Sequence, residues 1–196
     1  MKWTLKRIEK ETDHRFLNFY TFTFDVEQDG EHHDHPYYVA SRHEEKDLTA
    51  VTKSYARPDG VRIIAFKRKP VPSLLVIEEF RPPLNAYVTN LPAGLLDESD
   101  ENVETAAIRE TLEETGAKLE NVRLLCPSSP TSAGLSDELL SIVVGEVNEV
   151  FESRLEEFED IHARFVPLSE IPDLLNDPNR LIALDARLCM MMAKDL

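Results

Sequence analysis

The stretch Leu91–Ala117, LPAGLLDESDENVETAAIRETLEETGA, decides how this chain is read, because it crowds acidic side chains onto a short segment of helical character. Asp97, Glu98, Asp100, Glu101, Glu104, Glu110, Glu113 and Glu114 fall within it, and Arg109 is its only cation. One arginine cannot neutralise them all. In a helix turning about 100° per residue, Glu110, Glu113 and Glu114 share an arc of about 100°. Like charges at i,i+3 and i,i+4 destabilise a helix. This face therefore either stays in bulk water or holds a hard cation through oxygen ligands. On the same wheel Ile108 and Leu112 lie opposite Glu110, with Thr105 in line, which predicts a buried apolar back and an acidic front. Ala106 and Ala107 would let the helix approach other backbone closely. Ser99 or Asp100 can cap its start and Gly116 its end, giving a helix from Asp100 or Glu101 to Thr115.

Charge and composition narrow the function classes. A chain of 196 residues can bury one sizeable core and a small second unit. The net charge of -15 and pI near 4.8 leave no basic stripe to displace phosphate counterions, which argues against sequence-independent nucleic-acid binding. An anionic small molecule would still bind through a local metal. Cys126 and Cys189 lie far apart with no CxxC spacing, as expected of reduced thiols in a cytoplasmic protein. The start, MKWTLKRIEKETDHR, has no apolar core of a signal peptide, and no run approaches the roughly eighteen apolar residues of a membrane span, so no membrane association is expected.

Outward from the acidic stretch, the rest of the chain reads mainly as strands. Phe16 to Val26 alternates Phe22 and Phe24 with Thr21 and Thr23, Gln28-Asp29-Gly30 supplies a turn, and Pro36 to Ser41 reads as the return strand. His32, His33, Asp34 and His35 between them read as solvated loop residues rather than a metal site. Arg42 to Asp47 is charged and reads as a linker, dividing the chain into an N-terminal β unit, 1–47, and a main domain, 48–196. Val61 to Phe66, Leu74 to Phe80, Val122 to Leu125, Leu139 to Val147 and His162 to Pro167 are further strands. Ser169 to Leu175 and Arg180 to Lys194 read as helices, with Leu181, Leu184, Leu188 and Met192 of the second spaced for core or dimer packing. Pro127 to Glu138 is a loop rich in Ser and Pro, a place where function is often carried. Trp3, Phe19, Tyr20 or Tyr37 could stack on a base, but an aromatic on a strand is more often core, and none is singled out for that role.

The acidic stretch resembles the Nudix box, G-x5-E-x7-R-E-U-x-E-E-x-G-U with U aliphatic. Gly94 and Arg109-Glu110-Thr111-Leu112-Glu113-Glu114-Thr115-Gly116-Ala117 match it in register, with Thr111 and Ala117 at the aliphatic positions. The first half is one residue too long: counting forward from Gly94 the first glutamate position is Asp100, and counting back from Arg109 it is Glu101, which we take as the match. Glu79-Phe80-Arg81-Pro82-Pro83, Tyr87-Val88 and Leu91-Pro92-Ala93-Gly94 resemble the lead-in of ADP-ribose and nucleotide-sugar pyrophosphatases of that family. Tyr38 to Arg42, YVASR, resembles the end of the β unit that such enzymes exchange between subunits of a homodimer. Ser132 to Glu138, SAGLSDE, is similar to their SPG-x-x-x-E signature, with alanine in place of proline.

The resemblance implies an α/β fold, the Nudix α/β/α sandwich with a mixed sheet, carrying a small N-terminal antiparallel β unit. It implies Mg²⁺ or Mn²⁺ as cofactor, held by Glu110, Glu113, Glu114 and the backbone carbonyl of Ala93. Arg109 would hold the carboxylates, with Glu101 completing that network structurally. Arg81 would grip substrate phosphates, as a planar guanidinium can. Glu138, or a box glutamate, would activate water, with Asp137 as substitute. His162 is not expected to take part in catalysis. The implied reaction is hydrolysis of the pyrophosphate bond of ADP-ribose to AMP and ribose 5-phosphate. Nucleotide sugars or dinucleoside polyphosphates are alternative substrates, and a non-catalytic nucleotide-binding module is the alternative class.

Overall fold

The alternation around Phe22 makes the middle strand of a three-stranded antiparallel sheet. The computed structural model describes all residues, Met1–Leu196, and places β1 (Lys2–Lys10), β2 (Asn18–Gln28) and β3 (Glu31–Ser41) in the order β1-β2-β3. Asp29 and Gly30 both have positive φ, 55° and 84°, the geometry of a two-residue hairpin turn that matches strand twist. So tight a turn leaves no room for a loop, and His32, His33 and His35 lie on β3, opposite Glu27, Val26 and Phe24. The loop expected there is a strand. β1 escaped the sequence pattern because its register shifts between Leu5 and Arg7, which breaks the alternation. Tyr20, Phe22, Val39 and Leu48 form the buried core of this unit. Glu45–Asp47, within the expected linker, makes a 3₁₀ turn that leads into α1 (Thr49–Thr52).

This compact unit comprises Met1–Pro58 together with Ser128–Leu140. The loop after Pro127 joins it through Ala40 N–H, which donates to Leu135 O at 2.9 Å, and Tyr37 Oη, which donates to Gly134 O at 3.1 Å. These divisions differ from the boundary placed at 47/48 in the sequence, since pairings between residues this far apart leave no local signal.

The second unit, Asp59–Pro127 with Ser141–Leu196, is built on a seven-stranded mixed sheet. Its elements are β4 (Gly60–Lys67), β5 (Ser73–Arg81), β6 (Ala86–Asn90), β7 (Ala93–Leu95), α2 (Val103–Thr115), β8 (Ala117–Pro130), β9 (Leu139–Val150), β10 (Ile161–Pro167), α3 (Ile171–Asn176) and α4 (Leu184–Met192). The strand order is β10-β5-β4-β9-β8, with β6 paired to β5 and β7 to β4. The nearly unbroken apolar runs of β4 and β5 are those of strands covered on both faces. Val61, Ile63, Ala65 and Leu75 pack with Ala106 and Ala107 of α2, while Ile64, Phe66, Leu74 and Val76 pack with Ile171 and Leu174 of α3 and Ala186, Cys189 and Met190 of α4. Helix, sheet and helix thus form the expected sandwich. Each Val, Leu, Ile, Phe or Met side chain among them contributes about 1.5–3 kcal/mol by leaving water.

Of the two uses expected for the series at α4, core or dimer packing, the core one does not hold. Leu181, Leu184, Leu188 and Met192 are exposed, Leu184 by 73%. The helix buries Ala186, Cys189 and Met190 instead, whose smaller or more flexible side chains let it lie close against the sheet.

Candidate active site

Helix α2 starts later than its acidic lead-in suggests. Asn102 is the N-cap: its side chain accepts from Thr105 N at 2.9 Å, and Thr105 Oγ1 accepts from Asn102 N at 3.2 Å, a reciprocal capping box. Asp97 to Glu101 therefore stay in the preceding loop, where Asp97 N donates to Asp100 Oδ2 at 2.9 Å. Gly116 ends the helix as expected, with φ 69° and its N–H on Leu112 O at 2.9 Å. The buried face is Ala106, Ala107, Thr111, Glu114 and Thr115, whereas Ile108 and Leu112 remain exposed. Small side chains win the inward position because they permit closer packing on β4 and β7. Thr111 and Thr115 satisfy their hydroxyls by donating, each at 2.6 Å, to the carbonyls of Ala107 and Thr111. With that face inward, Glu114 is drawn into the interior.

Arg109 gathers the other acids. Its Nη1 donates to Glu110 Oε1 at 2.9 Å and Glu113 Oε2 at 3.1 Å, and its Nη2 to Asp100 Oδ2 at 2.8 Å and Leu95 O at 3.1 Å. Asp100 foremost, then Glu110 and Glu113, push the arginine pKa further above its ordinary value. The acid that completes the network is the buried Asp100, not the exposed Glu101. The reason is the late helix start, which leaves Asp100 in a loop whose turn it also closes. Glu110 lies against Gly94 so closely that a Cβ there would stand 1.9 Å from Glu110 Cδ.

Glu114 is only 6% exposed, and its carboxylate accepts one long bond, from Ala93 N at 3.3 Å. Burial, with the charges of Glu110 and Glu79 behind it, pushes its pKa up to about 8, against the opposing pull of the Ala93 N–H. Burial also raises Glu110, offset by Arg109. No three His, Cys, Asp or Glu side chains converge as a ready metal cage, since Arg109 turns Glu110 and Glu113 toward itself. The donor set nevertheless fits a hard divalent ion: carboxylate oxygens, one of them buried and lacking a cationic partner, beside the Ala93 backbone on β7.

Arg81 ends β5 and pairs through Nη2 with Glu79 Oε1 at 2.7 Å. Residues two apart on a strand share a face, so Arg81 stands on the side of Glu79, whose charge reaches Glu114. Glu138 belongs to the first unit, where it accepts from Thr131 Oγ1 at 2.8 Å and lies 3.7 Å from Arg42 Nε. Asp137 there accepts from Thr49 N at 3.1 Å, at the start of α1. His162 is exposed and pairs with Asp160 at 3.1 Å. Among the aromatics, Tyr20 is wholly buried, with its hydroxyl donating to His43 O at 2.8 Å, so it is a core residue.

Counting forward from Gly94 reaches Asp100, the partner of Arg109 in the structure, where the sequence reading preferred Glu101; it missed Arg62, Glu79 and Asn90, which are buried around the lead-in to Ala93. A signal existed for Arg62: a lone charge inside the apolar run GVRIIAF has to be paired when buried.

An ADP-ribose pyrophosphatase of Saccharomyces cerevisiae is 32% identical over 134 residues, 62% of this chain and 56% of that protein. One of Bacillus subtilis is 32% identical over 98 residues, 50% of each. The chain thus spans about half the length of these relatives. A crystal structure described as an ADP compounds hydrolase shares the fold, with a TM-score of 0.70 at 20% identity, covering 100% of this chain and 94% of that one. The NUDIX domain model matches residues 56–185, a span holding Arg81, Ala93 and the whole Arg109–Gly116 run, and the chain therefore belongs to the Nudix family.

Proposed function

We propose that the protein hydrolyses the pyrophosphate bond of ADP-ribose, giving AMP and ribose 5-phosphate, with Mg²⁺ or Mn²⁺ as cofactor. The observation that carries this reading is Glu114, a buried carboxylate that feels the charges of Glu110 and Glu79 and has no cation beside it. Glu110, Glu113, Glu114 and the Ala93 carbonyl would hold the ion. The bound ion would neutralise phosphate charge and make a water more acidic. Arg109 keeps Glu110 and Glu113 in place, tied back through Asp100. Arg81, half exposed, offers its guanidinium to the phosphates. Glu138 or a box glutamate takes the proton of the attacking water as its oxygen bonds to phosphorus and the bridging oxygen leaves, a contribution of about 10²- to 10⁴-fold. The two relatives described as ADP-ribose pyrophosphatases support the choice of substrate.

The working form in this proposal is a homodimer that exchanges the N-terminal β unit, residues 1–47. Cys126 and Cys189, read as reduced thiols, suit a reducing cytoplasm. The test is nucleotide release from ADP-ribose, ADP-glucose and a dinucleoside polyphosphate, each with Mg²⁺, Mn²⁺ or chelator. Metal-dependent AMP from ADP-ribose is expected, and Glu114→Gln should abolish it with the fold intact. Turnover of another compound alone would change the substrate but keep the mechanism. Tight binding without turnover would make the protein a nucleotide-binding module.

A further inference from the structure

Five side chains of the second unit form a continuous polar chain with Arg81 at its end. Asp185, in the first turn of α4, accepts from Arg62 Nε at 2.8 Å. Arg62 Nη1 donates to Asn90 Oδ1 at 2.7 Å, and Asn90 Nδ2 donates to Glu79 Oε1 at 2.8 Å. The same Glu79 oxygen pairs with Arg81 Nη2 at 2.7 Å. Arg62, Asn90 and Glu79 are all buried. They join β4, β6 and β5 beyond the point where the β4–β5 ladder, Phe66 opposite Leu74 and Lys67 opposite Ser73, has ended.

Buried polar groups are retained without a large penalty only when each finds partners, and here each has them in a single arrangement. Asn90 must turn its carbonyl oxygen to Arg62 and to Leu91 N, 3.0 Å away, and its amide group to Glu79. An aspartate at this place would set two carboxylates together. Arg62 Nη1 also donates to Leu91 O at 2.7 Å, so the same guanidinium fixes the backbone leading to Pro92 and Ala93. Glu79 is thereby anchored from behind, while about half of the Arg81 side chain, 49%, stays open to solvent.

We infer that Glu79 is a positioning residue for Arg81: held by Asn90 and Arg62, it fixes one side of the guanidinium and presents the rest, already oriented, to the substrate phosphates. The inference rests on the assignment of Arg81 to phosphate binding. An arginine ordered beforehand loses less rotamer freedom when its ligand arrives, and bidentate recognition of phosphate depends on the plane of the group.

The test makes Glu79→Ala, Glu79→Gln and Asn90→Ala, alone and with Arg81→Ala, and follows steady-state kinetics with ADP-ribose and the ¹⁵N relaxation of the Arg81 Nε–H. Glu79→Ala should raise KM about tenfold while changing kcat less than about threefold. Glu79→Gln should recover most of the loss, because its amide oxygen still accepts from Asn90 and Arg81. In the Arg81→Ala background Glu79→Ala should add nothing to KM. The relaxation should report an ordered Arg81 in the wild type and a mobile one in Glu79→Ala and Asn90→Ala. A full KM effect without Arg81, or an Arg81 equally ordered in both alanine variants, overturns the inference. If the wild type does not hydrolyse ADP-ribose, the functional reading fails, and the relaxation still decides whether Glu79 positions Arg81.

Discussion

Glu110 holds its place only because Gly94 has no side chain. A Cβ there would meet Glu110 Cδ at 1.9 Å and Oε1 at 2.1 Å, while the backbone at Gly94 is one that alanine adopts freely. The clash runs along the Glu110 side chain, Cγ included at 2.3 Å, with no backbone atom among the three nearest, so the side chain swings away from Arg109 and Gly94→Ala should lower the melting temperature only slightly. It should cut kcat/KM by about a hundredfold, because a displacement of about 1 Å in a reacting constellation has that effect. Unchanged kcat/KM would show that the Glu110 position is not needed. A second comparison separates two neighbouring acids. Asp100→Asn should destabilise the protein by about 1–3 kcal/mol, as expected when a buried charged group loses its ionic partner, and Glu101→Gln should do so by less than about 0.5 kcal/mol; urea denaturation measures both. Arg109, Glu110, Glu113 and Glu114 were legible in the sequence because a helix converts their spacing directly into a shared face. Asp100 was legible only in the count forward from Gly94, since the count back from Arg109 presumes a helix that begins at the acids. The capping box of Asn102 and Thr105, which uses threonine in the place usually taken by Glu or Gln, begins it later.

Among the elements, α2 depends on how it stops. Gly116 has φ 69°, and a Cβ there would lie 2.1 Å from the carbonyl oxygen of Phe151, whose own N–H donates to Gly116 O at 2.7 Å. Neither neighbour is a flexible tip, so the backbone itself must move. Gly116→Ala should therefore cost well over the roughly 1–2 kcal/mol of a left-handed non-glycine residue alone, read as a fall in the denaturation midpoint. A smaller loss would mean that the 151–153 backbone gives way easily. This C-cap was legible because glycine after an amphipathic run has one common use. The faces of α2 and α4 were less so. Periodicity marks a stripe of large apolar residues, Ile108 and Leu112 on one helix and Leu184 and Leu188 on the other, yet both helices turn smaller or more compliant side chains inward. Close approach to the sheet decides that choice, and it is a property of the partner surface rather than of the helix.

For the whole molecule the governing quantity is negative charge that the fold only partly compensates. The alternation of β4 and β5 between two helical layers was readable from their apolar runs, whereas the pairing of residues 128–140 with the N-terminal strands depends on contacts remote in sequence. The acidic balance, also plain in the sequence, has a consequence that depends on where Glu114 is buried. Its pKa of about 8 in the fold exceeds the ordinary carboxylate value of 4.5, so between these limits the folded chain retains a proton that the unfolded chain has lost. Stability rises with pH only where the unfolded state binds more protons. Here the inequality is reversed, and Glu110, raised in the same direction, adds to it. In chelator the melting temperature should therefore fall as pH increases from about 5 to about 8, and Glu114→Gln should flatten that slope. Mg²⁺ binds the ionised carboxylates, so it should raise the melting temperature more at about pH 8 than at about pH 6, by mass action on the folded state. Glu120 and Glu146, whose pKa values are lowered by Asn148 and Arg68 foremost, act in the opposite sense but only as pH falls through the acid range, and do not mask the trend. A melting temperature that is level or rising over the upper window in chelator would mean that Glu114 is already compensated in the metal-free fold, and would remove the electrostatic reason for a cation at this site.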